Sequence, residues 1–320
     1  MKPHLLFVVG STATGKSDLA VEISELILKR VSEQPELINC DSVSFFDKVQ
    51  IGAAKPSADL LGRAVHHLIG HVKPMDKYTA GNFRREALKI IEREPARRYI
   101  VVGGSGFYSQ ALEKGMYDVA DPNPEMQAQL LREAEGDGIR KLYAELKARD
   151  PETKIQAGDH YRTLRALEVL RQTPGQTMAE IKAEFDRHRP LSPFTSSKIG
   201  LCRSRDVLRQ KVTERTRKMI EQGLIEEVES LRAEGLSTWS PLSSVGYKEV
   251  QAYLDGKLPR AELEPLIVTS TMQLAKQQMT WFRRDPSIAW FDPDTEWAEA
   301  VAAGSTAGLT VLEGAFRIQP

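Results

Sequence analysis

The feature that most constrains this chain is a short segment near its start, Gly10-Ser11-Thr12-Ala13-Thr14-Gly15-Lys16-Ser17. It matches the phosphate-loop pattern at every defined position. The apolar residues 5–9 before it predict a buried strand, and the apolar spacing within residues 16–30 predicts a following helix. In that setting backbone N–H groups and the helix N-terminus favour an anion. We therefore expect residues 10–17 to bind a diphosphate-type ligand, with Lys16 on the outer phosphates and the Ser17 hydroxyl available to Mg²⁺.

Two further apolar runs end in polar or glycine residues. Residues 37–40 lead into Asp41, and residues 99–102 lead into two glycines and Ser105. Strands that alternate with helices predict a parallel sheet, whose carboxyl edge collects the residues that follow each strand. We predict an α/β fold of the phosphate-loop NTPase type, with helices flanking the sheet and candidate site residues along one edge.

The middle of the chain has a different character. Long amphipathic helical patterns predict a helical insert over residues 121–195, which interrupts an α/β domain formed by residues 1–120 and 196–292. Residues 293–320 are rich in Ala, Gly and Thr and carry no recognisable motif. We treat them as a C-terminal tail of unknown role.

Charge and cysteine content exclude several classes. The 320 residues carry 44 basic and 44 acidic side chains, so only a local patch can attract nucleic acid. Residues 203–218 hold seven Lys or Arg against two acidic residues; such a run is usually a solvated helix face, but it suits an RNA backbone. The two cysteines, Cys40 and Cys202, argue against disulfides or zinc. No apolar run approaches the roughly 20 residues of a membrane span, so we expect a cytoplasmic protein without membrane contact.

The phosphate loop alone does not define a reaction. Kinases, other NTPases and some transferases all use such a loop. Asp41 closes a predicted strand, where a carboxylate can hold the water shell of a metal. It can equally serve as a general base beside the phosphates. The pattern leaves kinase and transferase both open.

Further motifs follow in a fixed order along the chain. They are Asp41-Ser42; Gln50-Ile51-Gly52-Ala53-Ala54-Lys55-Pro56; His66-His67-Leu68-Ile69; Phe83-Arg84-Arg85-Glu86-Ala87; Val102-Gly103-Gly104-Ser105-Gly106-Phe107-Tyr108; Arg162 with Arg165-Ala166-Leu167-Glu168-Val169; Arg215 with Met219; Gly223-Leu224; Glu227-Val228; Val245-Gly246-Tyr247-Lys248-Glu249; and Ala275-Lys276-Gln277-Gln278-Met279-Thr280-Trp281-Phe282-Arg283. With this series the chain resembles tRNA dimethylallyltransferases, also called tRNA isopentenyltransferases, over roughly residues 5–292.

The resemblance implies a reaction and roles for particular residues. The diphosphate of dimethylallyl diphosphate would bind residues 10–17 with Mg²⁺, and Asp41 would take a proton from the attacking adenine amino group. Ser105 stands where the family has Thr, in a position to bond the leaving diphosphate. Arg215 matches the arginine that binds this diphosphate. Together with Lys16 it would neutralise the developing charge.

The resemblance also implies contacts with tRNA. They would come from Asp41, Ser42, Val43, Ser44, Ser105, Gln127, Tyr161, Arg162, Arg165, Val245, Gly246, Tyr247, Lys248, Lys276, Gln278, Thr280, Trp281 and Arg283. The target would be the adenosine on the 3′ side of the anticodon, flipped from its stack. Tyr247 and Trp281 are candidates for stacking on splayed bases, although a place in the core is the commoner situation for such residues.

The chain departs from the family at a few positions. Met272 and Gln277 stand where arginines are usual, Gln127 replaces a common tRNA-contacting arginine, and Ala53 replaces a Thr. Each missing arginine removes a phosphate or base contact, so these differences bear on tRNA affinity more than on catalysis.

Three alternative functions stay open at this stage. Prenyl transfer to a free adenine nucleotide would need neither the insert nor the segment 276–283, which favours tRNA as the acceptor. A small-molecule kinase would need ATP turnover, and we find no arginine-rich lid motif for it. A non-catalytic RNA-binding protein would not need Asp41 and an intact phosphate loop. We expect a monomer.

Overall fold

The computed structural model describes residues 2–74, 76–116, 123–188 and 192–313, with side chains through residue 309. The chain divides into two compact units. The first comprises Met1–Glu113 and Ser192–Pro320, and the second comprises Lys114–Leu191. The predicted insert, residues 121–195, therefore begins several residues too late and ends slightly late, since a strand of the first unit already begins at Thr195.

The first unit contains a parallel sheet, as the sequence predicted, and this sheet has six strands. Its strands are β1 (His4–Gly10), β2 (Glu36–Asn39), β3 (His66–His67), β4 (Tyr99–Gly103), β5 (Thr195–Leu201) and β6 (Ile288–Phe291). They lie in the order β3-β2-β4-β1-β5-β6. Val8 pairs with Val102 of β4, which also pairs with Asn39 of β2, so these three strands end at the same edge.

Helices of the first unit cover both faces of the sheet. Before the second unit they are α1 (Lys16–Val31), α2 (Ala58–Gly62), α3 (Ala80–Arg93) and α4 (Gly106–Lys114). The second unit consists of α5 (Pro124–Glu133), α6 (Gly138–Arg149), α7 (His160–Gln172) and α8 (Met178–His188). The first unit resumes with α9 (Arg205–Glu221), α10 (Leu224–Ala233), a 3₁₀ turn (Ser240–Ser243), α11 (Tyr247–Leu254), α12 (Arg260–Phe282) and α13 (Trp297–Glu313).

Alternation along β1 distributes its side chains between two cores. Leu5 and Phe7 pack in the core that also contains residues of α3 and of α10 to α12. Leu6 and Val8 point the other way and pack with residues of α1 and α13. Both faces of a parallel sheet are covered by helices, which explains why β1 reads as a continuous apolar run rather than an alternating one.

The described part of residues 293–320, which the sequence left as a C-terminal tail of unknown role, contains a helix. Residues 297–313 form α13, which packs against α1. A side chain at Gly304 would place its Cβ 2.3 Å from Ile23 of α1, so this glycine permits the close approach of the two helices. The Ala- and Gly-rich composition is therefore what allows α13 to complete the core.

The second unit has a small core of its own. Its buried members are Leu130, Leu142, Leu146, Ala166, Leu167 and Leu170.

Over the part of the chain that the structure describes, no helix combines the length and the apolar character needed to cross a bilayer.

Candidate active site

The ends of β2 and β4 are joined by hydrogen bonds that fix the residues following them. The Cys40 N–H donates to the Val102 carbonyl at 2.7 Å, and the Ser105 N–H donates to the Cys40 carbonyl at 3.3 Å. The Ser42 N–H donates to Ser105 Oγ at 3.0 Å. The residue between them, Asp41, is thereby held next to Ser105 at the carboxyl edge of the sheet, where the sequence placed both.

The phosphate loop leaves β1 and enters α1, as predicted. Gly10 has a φ of 142°, and a Cβ there would lie 2.4 Å from the Leu201 carbonyl oxygen, so only glycine fits this departure from the sheet. Inside the loop, Thr14 Oγ1 donates to the Ser11 carbonyl at 2.8 Å, and Lys16 Nζ donates to the same oxygen at 2.6 Å. These bonds close the loop into a compact turn.

Two helices from later in the chain reach the phosphate loop at Thr12. Arg215 of α9 donates from Nη1 to Thr12 Oγ1 at 2.8 Å. Gln278 of α12 accepts a hydrogen bond at Oε1 from the Thr12 N–H, also at 2.8 Å. Arg215, the arginine predicted to bind diphosphate, therefore contacts the phosphate loop.

Three charges influence one another around this loop. Burial lowers the pKa of Lys16 to about 8, and the positive charge of Arg215 acts in the same direction. Burial also lowers the pKa of Arg215. The carboxylate of Asp41 raises the pKa of both groups. Two desolvated cations next to one carboxylate form a site that gains stability when an anion enters.

The conformation of Asp41 is set by its own turn. Its N–H donates to Asn39 Oδ1 at 3.2 Å, and its Oδ1 accepts from the Val43 N–H at 3.1 Å. Such Asx geometry orients a carboxylate without using its second oxygen. Asp41 is partly exposed and lines a pocket.

This pocket has a polar group of residues around Thr12 and many apolar lining residues. Its polar side chains include Thr12, Asp41, Arg215 and Gln278. The remaining lining residues are Val43, Gly52, Ala53, Val212, Thr216, Met219, Ser244, Val245, Gly246, Ile267, Thr271 and Leu274. The structure thus brings together predicted residues from six separate segments of the chain, with an apolar cavity beginning at the phosphate loop.

Most of the apolar residues that line the pocket could not be identified from the sequence. On α12 the lining residues Ile267, Thr271 and Leu274 precede Gln278 at helical spacing, and on α9 Val212 and Met219 flank Arg215. This spacing places each set on one helix face. The signal was present, but the same periodicity is typical of ordinary core residues.

Tyr247 lies in the core, the commoner of the two situations considered for it, so its ring is not available to stack on a base. Its ring is fully buried. The hydroxyl donates to Glu227 Oε1 and accepts from the Ala53 N–H at 3.0 Å, while Glu227 also accepts from the Ile51 N–H at 2.7 Å. Tyr247 therefore holds the pocket wall at Gly52 and Ala53 in place. The tyrosine side chain lies behind the pocket wall and supports it through the contacts with Gly52 and Ala53.

Other residues predicted to contact tRNA differ in accessibility. Ser44 is buried, which argues against its contact with a large ligand. Half of the Lys248 side chain is exposed. On α12, Lys276 and Thr280 are exposed, as is Arg283 directly after its end. Trp281, one turn beyond Gln278, is partly exposed.

Trp281 belongs to a small aromatic group at the end of α12. Phe107 packs edge-on against it at a centroid distance of 6.4 Å, and the Arg284 guanidinium lies 5.9 Å from its ring. Phe107 is 52% exposed, so this group combines accessible aromatic surface with positive charge. Such a surface suits unstacked nucleobases.

The predicted contacts on the second unit fall into two kinds. Tyr161 and Arg162 are exposed on the first turn of α7. In contrast, Gln127 Nε2 donates to Oε1 of the buried Glu168 at 3.1 Å, and Arg165 pairs with that carboxylate at 2.6 Å. Arg165 therefore balances the charge of Glu168, and Gln127 donates a hydrogen bond to the same carboxylate within this unit.

The residues near the loop are suited to a hard cation. Thr12, Ser17 and Asp41 offer only oxygen atoms, which Mg²⁺ prefers. Across the described ranges, no cluster of three or more His, Cys, Asp or Glu side chains could hold a metal ion by itself. Mg²⁺ at this loop would therefore depend on phosphate oxygens of a ligand, the usual arrangement for this ion.

The fold and the pocket define a class of protein. A parallel sheet with a phosphate loop at its carboxyl edge defines a phosphate-loop α/β protein, and here a partly apolar pocket lies beside the loop and the Asp41 carboxylate. The particular family follows from sequence comparison. The profile described as IPP transferase matches residues 44–285, and the chain belongs to this family.

Individual relatives agree with this assignment. The tRNA dimethylallyltransferase of Bdellovibrio bacteriovorus is 45% identical over 302 residues, which cover 93% of this chain and 96% of that protein. The crystal structure of the tRNA isopentenylpyrophosphate transferase from Bacillus halodurans is 28% identical, with a TM-score of 0.68 over 98% of this chain and 100% of its own. A eukaryotic dimethylallyltransferase acting on tRNA, 23% identical, shares the fold with a TM-score of 0.77 over 99% of this chain and 80% of its own.

Proposed function

We propose that this protein transfers a dimethylallyl group from dimethylallyl diphosphate to N6 of the adenosine on the 3′ side of the anticodon in tRNA, with release of diphosphate. The observation that carries the proposal is the single pocket that unites Thr12 of the phosphate loop, the Asp41 carboxylate and apolar walls from α9 and α12. A donor with a diphosphate head and a short branched hydrocarbon tail has the same division into polar and apolar ends.

In the proposed reaction the N6 lone pair attacks the allylic C1 of the donor. The C1–O bond breaks, its electrons leave with the diphosphate, and the N6 proton passes to Asp41. Lys16, Arg215 and the N–H groups of the phosphate loop stabilise the charge on the departing diphosphate. In support of this role, Lys16 donates to the Ser11 carbonyl and Arg215 donates to Thr12 Oγ1 of the loop.

Ser105 and Mg²⁺ have supporting roles in this proposal. Ser105 Oγ points its hydrogen at Ser42 Oγ over a long 3.3 Å, a bond that an oxygen of the diphosphate can replace. Ser17 and phosphate oxygens of the donor would hold Mg²⁺. When bound, this ion supplies positive charge to the diphosphate.

The choice of tRNA as acceptor rests on the relatives and on the surface of the chain. Relatives that align over nearly the whole length are named for action on tRNA. Lys276, Arg283 and the aromatic pair Phe107 and Trp281 supply the charge and stacking surface that a splayed anticodon loop requires. The exposed Tyr161 and Arg162 are candidates for further RNA contacts on the second unit.

A transfer assay with alternative acceptors tests the proposal. The protein is incubated with Mg²⁺, labelled dimethylallyl diphosphate and either bulk tRNA or AMP. Label is expected in tRNA and absent from AMP. An anticodon stem-loop with guanosine in place of the target adenosine is the matched control and should stay unlabelled.

Each other outcome has a distinct meaning. Label in AMP alone would identify a nucleotide prenyltransferase. In a parallel incubation with ATP and a small-molecule acceptor, ATP turnover without prenyl transfer would identify a kinase. Binding of tRNA without any transfer would identify a non-catalytic RNA-binding protein and refute the proposed activity.

A further inference from the structure

A poorly exposed arginine contacts the phosphate loop from the side of β5. Arg203 follows this strand, and only 12% of its side chain is exposed. Its Nε donates to Asp294 Oδ2 at 2.7 Å and its Nη2 donates to Asp294 Oδ1 at 3.0 Å. The remaining Nη1 donates to the carbonyl oxygen of Ala13. The Asp294 carboxylate therefore fixes the guanidinium, which also donates a hydrogen bond to one peptide group of the loop.

The peptide that Arg203 grips has an unusual conformation. Ala13 has a φ of 60°, in the left-handed region that residues with a side chain rarely adopt. The Ala13 carbonyl and the Thr14 N–H belong to one planar peptide unit and point in opposite directions. A hydrogen bond that holds the carbonyl towards Arg203 therefore turns the Thr14 N–H away from Arg203. Backbone N–H groups of a phosphate loop are the donors that bind its anion.

The pairing with Asp294 shows how Arg203 acts. The hydrogen bonds from Arg203 lower the pKa of Asp294. The Asp294 carboxylate therefore stays charged and balances the positive charge of the guanidinium. A bidentate arginine–carboxylate pair is also geometrically rigid. Arg203 thus contributes little net charge to a bound diphosphate and is best suited to orient the loop.

The same part of the chain supports the loop at a second point. Trp297 lies against Gly15, where a Cβ would be 3.3 Å from its ring, and its Nε1 donates to Glu22 Oε2 at 2.8 Å. Asp294 lies in the connection between β6 and α13, and Trp297 is the first residue of α13. Both residues lie beyond 44–285, the part matched by the family profile.

We propose that Arg203 and Asp294 form a clamp that presets the phosphate loop for the donor's diphosphate. The segment at residues 292–297 is then a positioning element of the donor site. This inference rests on the proposed function only in taking a diphosphate as the ligand of the loop.

The test compares Arg203→Ala, Asp294→Ala and the double variant with the parent protein. Calorimetry with Mg²⁺ and inorganic diphosphate gives the affinity of the loop directly, and steady-state transfer gives KM for each substrate. Arg203→Ala should weaken diphosphate binding and raise the donor KM about 10-fold, the scale of one charge-assisted hydrogen bond. The kcat and the tRNA KM should stay within about threefold, and Arg203→Lys should recover part of the loss.

Two further comparisons sharpen the result. The double variant should bind diphosphate no more weakly than Arg203→Ala does, because the two residues act as one unit. Arg232→Ala is the matched control, since Arg232 pairs with Asp255 at 2.9 Å in a surface ion pair of its own. It should leave diphosphate binding unchanged.

Several results would overturn the clamp. Lower thermal stability of Arg203→Ala with an unchanged donor KM would assign the pair a structural role alone. Tighter diphosphate binding by Asp294→Ala would mean that Arg203 is a ligand restrained by the carboxylate. If Arg203→Ala does not fold, Arg203→Lys and Asp294→Asn carry the same comparison. A parent protein that binds diphosphate but transfers no prenyl group would refute the proposed function, while the diphosphate titrations would still decide on the clamp.

Discussion

Replacing Asp41 by Asn removes the charge of the proposed base and keeps its shape. The Val43 N–H donates to Asp41 Oδ1 at 3.1 Å, and an amide oxygen can accept the same bond. The turn after β2 should therefore persist, and the free energy of unfolding should change by less than about 1 kcal/mol. The amide cannot take the N6 proton. General-base catalysis contributes at least about 100-fold, so the chemical step should slow by that factor or more, about 2.7 kcal/mol.

Binding of the donor's diphosphate should not weaken in Asp41→Asn. The Asp41 carboxylate raises the pKa of Lys16 and Arg215, which shows that its charge is felt at the phosphate loop. Removing this negative charge leaves the two cations unopposed. A diphosphate should then bind as well as before or more tightly, although Lys16 will lose its proton at a lower pH.

Single-turnover transfer with labelled donor and tRNA measures the chemical step, and calorimetry with diphosphate measures binding. Asp41→Ala is the comparator, because it removes the base and also the acceptor for the Val43 N–H. A single-turnover rate of Asp41→Asn within about threefold of the parent would refute the assignment of Asp41 as the base. A loss of diphosphate affinity that matches the loss of rate would show that Asp41 positions the donor instead.

Three further predictions concern the pocket wall, the loop lysine and the RNA surface. Tyr247→Phe should lower the free energy of unfolding in urea by about 1–3 kcal/mol, because the Ala53 N–H and Glu227 lose a buried partner; an unchanged denaturation midpoint would contradict this. The pKa of Lys16 is about 8 in the folded chain, so donor affinity should fall as the pH rises through 8. Its pKa is depressed on folding, so the unfolded chain binds more protons between about pH 8 and 10.5, and the Lys16 contribution to stability should rise there; Lys16→Met should abolish both trends in titrations across that range. Trp281→Ala should raise the tRNA KM about 5- to 50-fold, the scale of one lost base stack, with the donor KM unchanged and most affinity retained in Trp281→Phe; equal tRNA KM values for Trp281→Ala and the parent would exclude stacking.

Local pattern was sufficient for the parts of this protein that depend on neighbours in sequence. The loop at residues 10–17 is recognisable because its glycines, lysine and hydroxyl residue must occur at set spacings between a strand and a helix. Parallel strands end at a common edge, so the sequence alone was enough to place Asp41 and Ser105 together. The helical character of the second unit likewise follows from periodicity along its own helices.

Tertiary structure alone decided which distant segments meet. Arg215 reaches Thr12 across 203 positions, and Arg203 reaches Ala13 across 190. Contacts of this kind depend on how helices pack on the sheet. An arginine that donates hydrogen bonds to a loop looks the same in the sequence as an arginine exposed to solvent. The contacts of the buried Tyr247 and the docking of α13 could not be predicted for the same reason, since an aromatic ring or an Ala-rich segment suits either surface or core until its neighbours are known.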